Sequence, residues 1–132
     1  TKISQTYQDT LNQENSLTLL TLKAANALSM DDKDGAMKML SEVVAKDPLN
    51  GSALLTLGSY YLQENELFKA LDYYDRATKV EAVQVDALLG ATRVLVKKGK
   101  YLLAINRLRE AQAIKEQYFV AEYITTLEKF VN

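Results

Sequence analysis

The 132-residue chain is long enough for one domain with a usable core, and its 48% apolar and 25% charged content is ordinary for a globular protein. Sixteen lysines and arginines nearly cancel seventeen acids, so no net field draws nucleic acid or anionic lipid, and no window approaches the ~20 apolar residues of a membrane span. With neither cysteine nor histidine, the chain lacks disulfides, thiolate nucleophiles, imidazole bases and the two best zinc ligands.

One proline and five glycines leave little material for β turns and point to an all-helical chain. It opens on Thr1 rather than methionine, so a piece of a longer chain is expected; no targeting segment is present, and the absence of cysteine fits cytoplasm or periplasm alike. Residues 1–15 carry Ile3, Tyr7 and Leu11 at four-residue spacing, which predicts an N-terminal flanking helix. Asn15-Ser16 reads as the turn that ends it, because both are good N-cap residues. Three units follow, 17–50, 51–84 and 85–118, each holding two amphipathic segments. Asp31-Asp32, Asn50 and Asn65 are the expected N-caps between them, and Pro48 precedes a new helix. Residues 119–132 place Val120, Ile124, Leu127 and Val131, with Phe119, Tyr123 and Phe130 alongside, on one side of a last helix. Glu122, Thr125, Glu128 and Lys129 face away, the pattern of a helix that caps an open end.

An offset of 34 aligns the units. Ala36, Ala70 and Ala104 form one column, Leu40, Tyr74 and Leu108 a second, Val43, Ala77 and Ala111 a third, and Leu20, Leu54 and Leu88 a fourth. All are apolar. Within the middle unit Leu54, Leu57, Gly58 and Tyr61 share one helix face, and Ala70, Tyr74 and Ala77 share a face of the next, which describes two antiparallel helices. Gly58 inside a helix costs about 1 kcal/mol relative to alanine, so a close approach of neighbours is expected there.

Those seven residues of the middle unit fill signature slots of the tetratricopeptide repeat, and the chain resembles that family over 17–118. The other units match less fully: Lys23 and Ala24 stand in the Leu-Gly slots of the first, which does carry the late proline as Pro48, and Ala91 and Thr92 stand there in the third. The resemblance implies one right-handed α-α superhelix, a solenoid of three helix-turn-helix repeats with flanking helices. It also implies a protein-interaction scaffold rather than an enzyme, one that binds a helical or extended peptide segment in the groove lined by the first helix of each repeat.

At 100° per residue, the positions next to the core stripe on those first helices are the groove candidates. They hold Thr18, Thr21, Ala25 and Leu28, then Ser52, Leu55, Ser59 and Leu62, then Asp86, Leu89, Arg93 and Val96. Thr21, Ala25, Leu28, Leu55, Ser59, Leu62, Leu89, Arg93 and Val96 are the expected peptide contacts. Their aliphatic and hydroxylic character suits an apolar stripe on a protein or peptide partner. Family members that clamp C-terminal carboxylates present several lysines, arginines and asparagines at such slots, which this chain does not. The same leucines would equally serve to pack against the domain's own helices, and the competing function is then a structural or self-associating module, including a homo-oligomer.

Other constellations carry less. Asp31, Asp32, Asp34 and Gly35 fail the spacing of a calcium loop, whose first and twelfth positions would fall on Met30 and Ser41. Lys97, Lys98 and Lys100 lack any glycine-rich cradle for phosphate or stacking platform for bases, so no nucleic acid is expected. Asp72 with Asp75 is a carboxylate pair on the outer side of a helix, and Tyr61 and Tyr74 read as core. No catalytic group, cofactor or metal is expected.

Overall fold

A computed structural model describes residues 2–131, the side chains of 2–4, 10, 13 and 14 excepted; Ile3 of the spaced apolar trio falls outside the described side chains. Every regular element among the described residues is helical. Compactness divides the chain into two units, 1–48 and 49–132. No helix among the described residues is long and apolar enough to cross a membrane.

The first unit is a pair of packed helices, α1 (Lys2–Ser29) and α2 (Lys33–Lys46). The turn expected at Asn15-Ser16 is absent, because α1 runs through both residues without interruption. The reason is local: residues 2–29 contain neither glycine nor proline, and an asparagine or serine inside a helix costs only tenths of a kcal/mol. Of the described α1 side chains only Ala24 and Ala27 are fully buried, against Ala36, Met37, Leu40, Val43 and Val44 of α2. Asp32 caps α2, its carboxylate accepting from the Gly35 N–H at 3.1 Å.

The second unit contains the helix pairs α3 (Gly51–Gln63) with α4 (Leu67–Ala77), and α5 (Gln84–Lys97) with α6 (Tyr101–Ile114), followed by α7 (Tyr118–Glu128). A single 3-10 turn, Glu81–Val83, precedes α5. Helix α4 also packs on α5, α6 on α7, and α3 lies beside α5. Small residues permit these approaches: Ala70, Ala77, Ala104 and Ala111 of the repeat columns are fully buried, as are Ala87 and Ala91 of α5. Of the four apolar columns only Leu20 is not buried, and it is half-buried. Thr92 is the buried polar residue of the core, and its hydroxyl donates to the Leu88 carbonyl at 2.8 Å.

The inter-helix turns repeat at the same offset. Asp31, Asn65 and Gly99 stand 34 residues apart and all adopt left-handed backbone, with φ of 62°, 60° and 74°. Each closes its helix in one hydrogen-bond pattern. The N–H groups of Asp32, Glu66 and Lys100 reach back to the carbonyls of Ala27, Tyr61 and Leu95, and those of Asp31, Asn65 and Gly99 to Leu28, Leu62 and Val96, at 2.7–3.1 Å. Asn65 is therefore a helix terminator rather than the expected N-cap. Glu66 precedes α4 and makes no side-chain cap, whereas Asn50 does cap α3 by accepting from the Ala53 N–H at 3.1 Å.

Two further expectations are corrected. The apolar stripe of the last helix is narrower than its sequence: Val120 and Leu127 are buried and Tyr123 and Ile124 half-buried, whereas Phe119 is exposed and Val131 lies beyond the helix end. Phe130, also exposed, stacks on Tyr101 with ring centroids 5.3 Å apart. Tyr61 is only half-buried; its ring stacks on Tyr73 at 5.6 Å, with the Lys69 ammonium 5.2 Å from its centroid.

Candidate functional site

The face shared by α3 and α5 is set by which residues each helix turns inward. Helix α3 buries Ala53, Leu54, Leu57 and Gly58, which leaves Leu55 and Leu62 half-buried and Ser59 exposed beside them. Helix α5 buries Ala87, Leu88, Gly90, Ala91, Val94 and Leu95, with Leu89 and Val96 half-buried and Asp86 and Arg93 exposed. Leu55 and Leu62 rest against the core around Ala70 and Tyr74, and Leu89 and Val96 against the core around Leu108 and Val120. These three leucines and one valine therefore serve two roles, covering the core on one side and facing solvent on the other.

A pocket of about 250 Å³ opens between the two helices, lined by Leu55, Ser59, Tyr74, Asp86, Leu89 and Arg93. Four of the nine expected contacts thus meet around one recess. Leu62 and Val96 lie on the same helices without lining it. Thr21, Ala25 and Leu28 belong to the first unit. There Ala25 and Leu28 are exposed, and the Thr21 hydroxyl donates to the Leu17 carbonyl at 2.9 Å, which ties it to its own helix.

The floor is Tyr74, a residue assigned from sequence to the core alone. It comes from α4, is 2% exposed, and reaches the pocket because its ring lies between two glycines. A Cβ built on Gly58 would stand 3.0 Å from three ring atoms, and one on Gly90 would overlap the ring. The available signal was a pair of glycines on neighbouring helices. They are 32 rather than 34 residues apart, so the repeat columns separate them.

Burial raises the pKa of the Tyr74 hydroxyl above that of a free phenol, with the positive charge of Arg93 and a hydrogen bond with Ser59 pulling the other way. Burial likewise raises Tyr123 of α7, again opposed by Arg93. Both hydroxyls are therefore neutral near pH 7 and can donate or accept. The recess combines two aliphatic walls, a phenolic floor, a serine hydroxyl and one charge of each sign. Those groups offer apolar contact and hydrogen bonds of either sense, and they pair no nucleophile with a base.

A second recess, about 370 Å³, is lined by Leu71, Leu95, Leu103, Asn106, Arg107 and Glu110. Its arginine is already engaged, with the Arg107 guanidinium 2.8 Å from the Asp75 carboxylate. Burial raises the Asp75 pKa despite this partner, and Asp72 and Glu110 add to the effect. Asp75 is accordingly half of an ion pair between α4 and α6, where the sequence placed it with Asp72 as a solvated pair.

No protein-family model and no curated protein matches the sequence. Among solved structures, the N-terminal domain of stress-induced protein-1 from C. elegans is similar in backbone, with a TM-score of 0.79 over 86% of this chain and 95% of that one, at 14% sequence identity. Identity that low carries the fold and nothing finer. The chain has the all-helical tetratricopeptide-type repeat fold that its residue columns resemble.

Proposed function

We propose that the protein is an interaction scaffold that docks a helical or extended segment of a partner protein on the α3/α5 face, without catalysing a reaction. The observation that carries this reading is the pocket itself. Leu55 and Leu89 flank a floor fixed by Tyr74, with Ser59, Asp86 and Arg93 at its margins. A preformed recess with apolar walls and a few placed polar groups is the usual form of a recognition site. Leu62 and Val96 extend the same aliphatic face, and Thr21, Ala25 and Leu28 of α1 are the contacts proposed for the first unit.

Affinity capture from native lysate, compared between the parent and Leu55→Asp, Leu89→Asp and Ser59→Arg, tests the reading. Ser59 is exposed, so its arginine variant obstructs the pocket without disturbing the core. A partner held by the parent and released by all three variants supports groove docking. Retention by folded Ser59→Arg contradicts it.

One observation favours the alternative of a structural or self-associating module. Helix α1 leaves Tyr7, Leu19 and Leu22 exposed, at 69%, 52% and 62%. Light scattering over a concentration series separates the readings, since only self-association makes the mass rise.

A further inference from the structure

We infer that the segment recognised on this face is a helix bearing one aliphatic side chain flanked by one acidic and one basic side chain about two turns apart; the inference rests on the docking role proposed above. Asp86 and Arg93 both line the pocket, and Leu89 lies between them on α5. Seven residues separate the two charges, so they share a helix face about 10 Å apart along its axis, with Leu89 one turn from each. Both are exposed, and among the described residues neither takes part in an ion pair. The arginines of α6 differ: Arg107 pairs with Asp75 and Arg109 with Glu128.

This arrangement discriminates among partners by what each would leave unpaired. A purely aliphatic segment covering Leu55 and Leu89 would strip water from Asp86 and Arg93 and give nothing back, which penalises it. A wholly acidic segment satisfies Arg93 and is repelled by Asp86; a wholly basic one does the reverse. Only a segment with both signs satisfies both ends while its aliphatic residue sits over Tyr74. For a helical partner this means opposite charges at i and i+7 with the aliphatic residue at i+3 or i+4. The Tyr74 and Ser59 hydroxyls add neutral hydrogen-bonding capacity that tolerates either direction of the partner helix.

The test uses three fluorescently labelled, end-capped, alanine-based helical peptides with a central leucine, carrying Glu and Lys, two Glu, or two Lys at the flanking positions. Binding is read by anisotropy at low salt against the whole chain and its Arg93→Glu and Asp86→Lys variants. The unmodified protein is expected to prefer the mixed peptide by roughly fivefold, the size of one exposed ion pair of about 1 kcal/mol. Arg93→Glu should transfer the preference to the two-lysine peptide, and Asp86→Lys to the two-glutamate peptide. These crossed preferences do not depend on which way the peptide lies. Equal binding of all three peptides that is abolished by Ser59→Arg overturns the charge code and leaves the docking role standing. Binding unaffected by Ser59→Arg, or no binding by any peptide, overturns the inference, and the capture experiment then decides the docking role separately.

Discussion

The ring of Tyr74 occupies the space that a side chain at Gly90 would need. A residue of the second helix in one pair is thereby locked beneath the exposed face of the first helix in the next, and the floor of the candidate site is part of the core.

Gly90→Ala should therefore destabilise the protein, although alanine is the better helix former by about 1 kcal/mol. Overpacking against the held ring costs about 1–3 kcal/mol or more, which outweighs that gain where the overlap is as close as it is here. Gly58→Ala, whose Cβ would meet the ring at 3.0 Å, should cost less. Thermal melts check both, and Gly90→Ala combined with Tyr74→Leu should lose less than the sum of the single changes, since the clash is then removed.

The left-handed turns give an opposite pair of expectations. Nothing lies within 4 Å of a Cβ at Gly99, so Gly99→Ala should lose about 1 kcal/mol through backbone conformation alone. Asp31→Gly should raise stability by a few tenths to about 1 kcal/mol, because φ of 62° is strained for an aspartate. Denaturant midpoints measure both, and a stabilising Gly99→Ala would contradict the turn geometry.

Asp75 predicts a pH dependence of known sign. Its pKa is raised in the folded state, so folding favours the protonated acid; the favourable contribution is full below the ordinary value of 3.8 and is lost as pH rises through the folded value. Asp75→Asn keeps an acceptor for Arg107 without the charge. It should match the parent below pH 3.8 and equal or exceed its stability at pH 7, by less than about 1 kcal/mol for so exposed a pair. A marked loss at pH 7 would show that the ion pair outweighs the burial of the carboxylate.

Removing residues 119–132 should uncover Leu108 and Ile105, which share a core cluster with Val120 and Leu127 of α7. Aggregation or a sharply lower melting temperature is expected, and a soluble truncation of equal stability would contradict the capping role.

The core was legible because small and aliphatic residues recur with constant phase: Ala36, Ala70 and Ala104 are each fully buried where the offset of 34 places them. Leu55, Ser59, Leu89 and Arg93 could be placed on one face from the 100° step of the helix. The role of Tyr74 could not, because it depends on two glycines outside a common column. The turn expected at Asn15-Ser16 does not form, because capping residues mark a boundary only where something stops the preceding helix, and residues 2–29 contain neither glycine nor proline. Asn65 and Asp31 share the side chains of N-caps, yet both sit at helix C-termini, where tolerance of left-handed backbone decides the residue type.

The most direct measurement is the map of backbone amide chemical-shift changes when a captured partner segment is titrated into the isotope-labelled protein. Docking on the proposed face predicts changes concentrated at residues 55–62 and 86–96. Changes confined to α4 and α6, around Leu71, Leu103 and Asn106, would contradict it.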